Sequence, residues 1–150
     1  MNENQIKTKW LQDQTAVVGW SLIGHPEISN ILAQTGVDGV VLDWQHGIRI
    51  NEASLVGCIE AICTQPRVAP LVRIPSDNRY QISHVLDAGA CGIFVPMVST
   101  VEEAEHAVRA CRYSPLGDRS LGLMPHRLPN ESINDYVERA NREIICVIMV

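Results

Sequence analysis

Lysine is almost missing from this sequence. Only Lys7 and Lys9 occur in 150 residues, both in the polar segment 1–13. A Schiff-base enzyme needs a lysine amine on a core strand, and none of the strands assigned below carries one. The net charge of −5 leaves no basic footprint, which argues against a nucleic-acid partner. No apolar run approaches the roughly 20 residues of a membrane span, so no membrane partner is expected. Segment 1–13 has no apolar stretch of the kind a signal peptide needs, and the expected location is cytoplasmic. The five cysteines (Cys58, Cys63, Cys91, Cys111 and Cys146) are odd in number and form no Cys-x-x-Cys. They read as reduced, mostly buried residues rather than disulfides or zinc ligands. No Gly-x-Gly-x-x-Gly follows the first apolar run, so the usual dinucleotide turn is absent.

What is present is a regular alternation. Hydrophobic residues make up 46% and charged residues 19%, as suits strands buried on both faces. Short β-branched runs predict strands over 16–21, 39–44, 69–74, 93–98 and 144–150. Amphipathic patterns fill the gaps. Pro26 suits a first helical position, with Ile28, Ile31 and Leu32 on one face and Gly36 as the stop. Asn51 is a candidate N-cap for a helix through Leu55, Cys58, Ile59 and Ile62. Ile82, Val85 and Leu86 lead to Gly89, a candidate C′ glycine. Thr100-Val-Glu-Glu103 reads as a capping box. A further helix is expected over 132–142, and a short one over 7–11.

Segments 32–43 and 86–96 share a weak repeat: helix end, glycine, two residues, glycine, strand. Such βα units build either a closed barrel or an open doubly wound sheet. Polar residues gather just after strand ends, at Asp43, Gln45 and His46, at Arg73, and in the 96–99 turn. In a barrel those ends converge on one mouth. The sequence therefore predicts an α/β fold of the TIM (β/α)8 type. A full barrel needs roughly 250 residues, so residues 1–150 are expected to form the N-terminal part of one barrel domain, about five strands, with the C-terminal units missing. A complete five-stranded open sheet is the alternative.

His46 at a barrel mouth suits a general base, because imidazole titrates near neutrality. Asp43 and Gln45 are placed to orient it or to hold a metal-bound water. A histidine that only caps a loop is the plain alternative. Arg73, embedded in an apolar strand, must be paired or used, and its planar fork suits a carboxylate. Segment 113–122, with Gly117 and Gly122 as hinges, reads as a mobile loop over the mouth or as a plain connector. His25 could edge the site or cap a helix. His84, His106 and His126 read as surface or loop residues.

Four blocks carry a family resemblance. They are Gly36-Val-Asp-Gly-Val-Val-Leu-Asp-Trp-Gln-His-Gly47, Val72-Arg-Ile-Pro75, Leu86-Asp-Ala-Gly-Ala-Cys-Gly-Ile-Phe-Val-Pro-Met-Val98 and Arg112-Tyr-Ser-Pro-Leu-Gly-Asp-Arg119. In this order and spacing the chain resembles the HpcH/HpaI-type family of metal-dependent (class II) 2-oxo acid aldolases. The resemblance implies a TIM barrel that cleaves a 4-hydroxy-2-oxo acid into pyruvate and an aldehyde. It implies His46 as catalytic base, Arg73 as the arginine that binds the pyruvate end, and Asp87 as the carboxylate that raises the basicity of that histidine. Asp87 is expected near the opposite end of its own barrel, so it would serve a neighbouring subunit's His46. This implies a homo-oligomer, of hexamer type, with shared sites. Without the resemblance, Asp87 reads as an exposed helix-end residue.

The chain departs from the pattern in places. Gln45 stands where the family often has Glu, and Arg119-Ser120 replaces Arg-Gly. Met149 takes the place of a substrate-binding Gln, which leaves only its backbone for substrate. The metal-binding Glu would fall just after Val150. The resemblance thus implies a divalent metal (Mg, Mn or Co) bound by residues beyond 150, with no metal ligand within 1–150. A citryl-type lyase, or a non-catalytic barrel fragment, are the alternatives.

Overall fold

The computed structural model describes residues 4–150. Five parallel strands lie side by side in chain order: β1 (Val18–Ser21), β2 (Gly39–Asp43), β3 (Ala69–Arg73), β4 (Gly92–Val95) and β5 (Ile145–Ile148). A doubly wound sheet reverses its strand order partway. Here the order runs 1-2-3-4-5 without reversal. That is the winding of a (β/α)8 barrel, of which these are five consecutive units.

Helices α1 (Gln5–Leu11), α2 (Pro26–Ala33), α3 (Glu52–Cys63), α4 (Arg79–Asp87), α5 (Val101–Ala110) and α6 (Ile133–Glu143) occupy the gaps. Their ends follow local chemistry. Pro26 opens α2, and the Asn51 side chain accepts from Ser54 N in a reciprocal capping box. Thr100 and Glu103 close the same motif on α5. His25 is the N-cap residue of α2 but makes no side-chain cap bond; its ring pairs instead with exposed Glu27. Gly36 and Gly89 both adopt positive φ, +89° and +111°, which glycine takes without steric cost. They are equivalent positions of the internal repeat.

Alternation splits the core in two. Val40, Leu42, Val72, Ile93 and Val95 face the helices and pack on Leu55, Ile59, Ile62, Ile82 and Leu86. Val41, Ala69, Leu71, Cys91 and Ile145 face the barrel interior, where Ile6 of α1 joins them. Helix α1 thus plugs the end of the barrel where the strands begin. Asn4 fixes it there, its backbone N–H bonded to Glu143 Oε2 (2.9 Å) and its amide to the Cys91 carbonyl.

Strand ends differ from the sequence expectation for identifiable reasons. β1 starts at Val18 because the Val17 N–H is taken by the Asp38 carboxylate. β4 stops at Val95 because Pro96 has no N–H and Met97 sits at φ 56°. Ile144 ends α6 as its C-cap, so β5 begins one residue later. All five cysteines are free thiols; Cys58, Cys91 and Cys111 are buried, while Cys63 is exposed. Burial pushes the Cys91 thiol up to about 12. No described helix is long and apolar enough to cross a membrane.

Candidate active site

At their C-terminal ends, β2 and β3 place Asp43 opposite Arg73 in the register. Both sit on the inward parity of their strands, with Val41 and Leu71. Asp43 is fully buried and the Arg73 side chain is 15% exposed. Arg73 Nε donates to Asp43 Oδ1 at 2.9 Å, and Nη2 donates to Oδ2. This is a side-on, two-point pair. It leaves Nη1, which makes no hydrogen bond within the described residues, as the outer edge of the guanidinium.

Two more donors complete Asp43. The Trp20 indole N–H reaches Oδ2 at 3.1 Å, and the His46 backbone N–H reaches Oδ1 at 3.0 Å. Burial by itself raises the Asp43 carboxyl. The Arg73 guanidinium, the His46 N–H and the Trp20 N–H outweigh burial and hold the carboxyl at about 2. Asp43 is therefore an anion at neutral pH that pairs with Arg73 and orients it.

Trp20 and Phe94 were not singled out in the sequence. The Arg73 guanidinium lies over the Trp20 ring, 5.2 Å from its centroid, a cation–π contact worth about 0.5–2 kcal/mol. Phe94 meets Trp20 edge-on, centroids 5.3 Å apart. Strand parity was the available signal: Trp20 is an inward residue of β1, opposite Val41 in the register.

His46 lies in the turn after β2 and is exposed. Its position beside a strand end agrees with the expectation, but the expected role of Asp43 changes. Asp43 does not touch the imidazole. It accepts the His46 backbone N–H and so fixes the turn rather than the ring. Gly47 closes the turn with its N–H on the Asp43 carbonyl at 2.8 Å. A Cβ on Gly47 would lie 2.2 Å from that same oxygen. Gln45 is partly buried and makes no side-chain hydrogen bond within the described residues.

Asp87 is not brought to this mouth. Helix α4 starts just after β3 and runs back, so Asp87 at its end lies toward the strand N-termini. There Arg119 Nη2 donates to Asp87 Oδ1 at 2.6 Å. The Arg119 side chain is almost wholly buried and stacks on Tyr113, 4.5 Å from the ring centroid. The 113–122 loop therefore follows α5 at the end away from the mouth, and the expectation of a loop over the mouth is corrected. Met149 continues the β4–β5 pairing. Its N–H donates to Val95 O and its carbonyl accepts from Val98 N, so both backbone groups are already engaged.

Among the described residues no group of three or more His, Cys, Asp or Glu side chains is arranged to hold a metal. Asp43 does not fit such a role, because four N–H donors occupy its two oxygens.

The fold and the site together have the form of an α/β-barrel mouth, with a carboxylate-anchored arginine at the C-terminal ends of parallel strands. A sequence model of the HpcH/HpaI aldolase/citrate lyase family matches residues 17–150, and the chain belongs to that family. It is 38% identical over 103 residues to a 4-hydroxy-2-oxovalerate aldolase of Novosphingobium aromaticivorans, covering 69% of this chain and 39% of that protein. It is 34% identical to a hydroxypyruvate/pyruvate aldolase of Rhizorhabdus wittichii, covering 98% and 57%. The crystal structure of an HpcH/HpaI aldolase from Desulfitobacterium hafniense superposes with a TM-score of 0.81 at 29% identity, over 94% of this chain and 55% of that one. The chain thus spans about half the length of the curated relatives it matches.

Proposed function

We propose that this barrel belongs to a carbon–carbon lyase that cleaves 4-hydroxy-2-oxo acids to pyruvate and an aldehyde, as a pyruvate-dependent class II aldolase. The observation that carries the reading is the Arg73–Asp43 pair, which leaves one guanidinium edge without a hydrogen bond among the described residues. That edge suits the carboxylate of a 2-oxo acid. His46, exposed one turn beyond Asp43, is the group to move the proton of the 4-hydroxyl. Gln45 and Met149 are the adjacent candidates for substrate contact, Met149 through its side chain because its backbone is engaged. The described residues do not fit the divalent metal (Mg, Mn or Co) expected of such an enzyme, and the steps assigned to this chain run through Arg73 and His46.

Asp87 has a second part in this proposal. It faces away from its own mouth, so we assign it to the His46 of a neighbouring subunit in a homo-oligomer. A carboxylate beside an imidazole favours the charged form and fixes the tautomer.

The test is pyruvate release from a 4-hydroxy-2-oxo acid, followed with a coupled dehydrogenase. His46→Ala is expected to lose at least about a hundredfold in kcat. Arg73→Lys is expected mainly to raise KM, because the two-point pair is lost. Turnover that persists in excess EDTA would overturn the metal dependence. The family description also covers citrate lyase. Cleavage of a citryl substrate, with none of a 4-hydroxy-2-oxo acid, would favour that second reading.

A further inference from the structure

Trp20 touches both members of the ion pair. Its indole N–H binds Asp43 Oδ2, and its ring underlies the Arg73 guanidinium. Phe94 braces it edge-on at an interplanar angle of 74°. The four side chains come from four adjacent strands and meet on the interior face, Asp43, Arg73 and Phe94 in register and Trp20 opposite Val41, two positions before Asp43. β1 is also held by its backbone ladder with β2, which runs from Val18 to Ser21. Trp20 also remains 40% exposed, unlike the buried interior residues Val41 and Leu71.

An arginine side chain has a long, flexible stem. Asp43 grips one edge of its guanidinium, but such a pair can still rock about that edge. A ring beneath the plane opposes the rocking, and an indole N–H on Oδ2 opposes rotation of the carboxylate. Together they decide where the Nη1 edge points.

We propose that Trp20 is a positioning residue: through Asp43 Oδ2 and its own ring it holds Arg73 with the Nη1 edge presented to the mouth for the carboxylate of a 2-oxo acid. The ligand class rests on the function proposed above; the positioning of Arg73 does not.

The test uses Trp20→Phe and Trp20→Leu in the full chain. Phe94 is the only phenylalanine, so 4-fluorophenylalanine labelling gives wild type and Trp20→Leu a single ¹⁹F signal that reports whether this region is folded. Two quantities are measured by NMR: solvent exchange of the Arg73 Nε–H, and the Kd of pyruvate. In Trp20→Leu, exchange is expected to accelerate about tenfold or more and Kd to rise about tenfold. Trp20→Phe keeps a ring and loses the N–H, so about a two- to threefold rise in Kd is expected. It also carries the test should Trp20→Leu not fold. Unchanged exchange and unchanged Kd in a folded variant would overturn the proposal. So would an equal loss of Tm in both variants with Kd unaltered, which marks a purely structural role. If wild type binds no pyruvate while exchange still accelerates, the 2-oxo acid reading falls and the positioning of Arg73 stands.

Discussion

Asp43 shows how one side chain sets the character of a site. Its pKa falls from 3.8 unfolded to about 2 in the fold. A carboxyl depressed in this way stabilises the fold fully above its unfolded pKa, and that stability drains away as the pH falls through the folded value. The shift corresponds to about 2 kcal/mol. Urea midpoints measured from pH 6 down to pH 2 should therefore fall in wild type between about pH 4 and pH 2. Asp43→Asn should lose this part of the pH dependence and be about 2 kcal/mol less stable at neutral pH, since Arg73 is left without its counter-charge. A pH profile unaltered by the substitution would show that the Asp43 carboxyl is not held down by its pairing with Arg73. The sequence identified Asp43, His46 and Arg73 because charged or polar residues at the ends of apolar runs are costly unless used. It did not identify Trp20 as their partner, since a tryptophan in an apolar strand looks like any core residue.

Elements place these residues through parity and turns. Because side chains alternate along a strand, Asp43, Arg73 and Phe94 share the interior face once the register pairs them in turn. Strand existence was legible from β-branched runs, and helix starts from Pro26, Asn51, Thr100 and Ser132. The exact strand ends were not, because they depend on side-chain competitors such as Asp38 and on the positive φ of Met97. The turn after β2 is tightly constrained. Gly47→Ala places a methyl against the Asp43 carbonyl, so the turn must open. The expected result is a loss of about 1–3 kcal/mol in stability and at least about a tenfold loss of kcat as His46 is displaced. A chemical-denaturation curve and a turnover assay on the same preparation check both. Wild-type values for each would show that the turn can relax without moving His46.

Whole-molecule winding separates residues that the sequence lists together. Asp87 and Arg73 are 14 positions apart, yet α4 carries Asp87 toward the other end of the barrel, where Arg119 holds it. If neighbouring copies share sites, a chain with His46→Ala and a chain with Asp87→Asn complement each other. Co-expression of two inactive variants should then restore about a quarter of wild-type turnover by random assembly. No recovery in the mixed oligomer would remove Asp87 from the shared site.

The sequence alone determined the repeated βα units, the two glycines that restart each repeat, and the identity of the polar strand-end residues, since these follow from local sterics and from the cost of charge in apolar runs. Lysine scarcity likewise needed no structure to argue against imine chemistry on a core strand. Only the tertiary structure decided that Asp43 serves Arg73 and the His46 backbone rather than the imidazole. It also decided that Trp20 packs against the pair with Phe94 behind it, and that the 113–122 loop lies away from the mouth. Those outcomes depend on register across four strands and on the direction in which a helix returns, and spacing along the chain does not encode either.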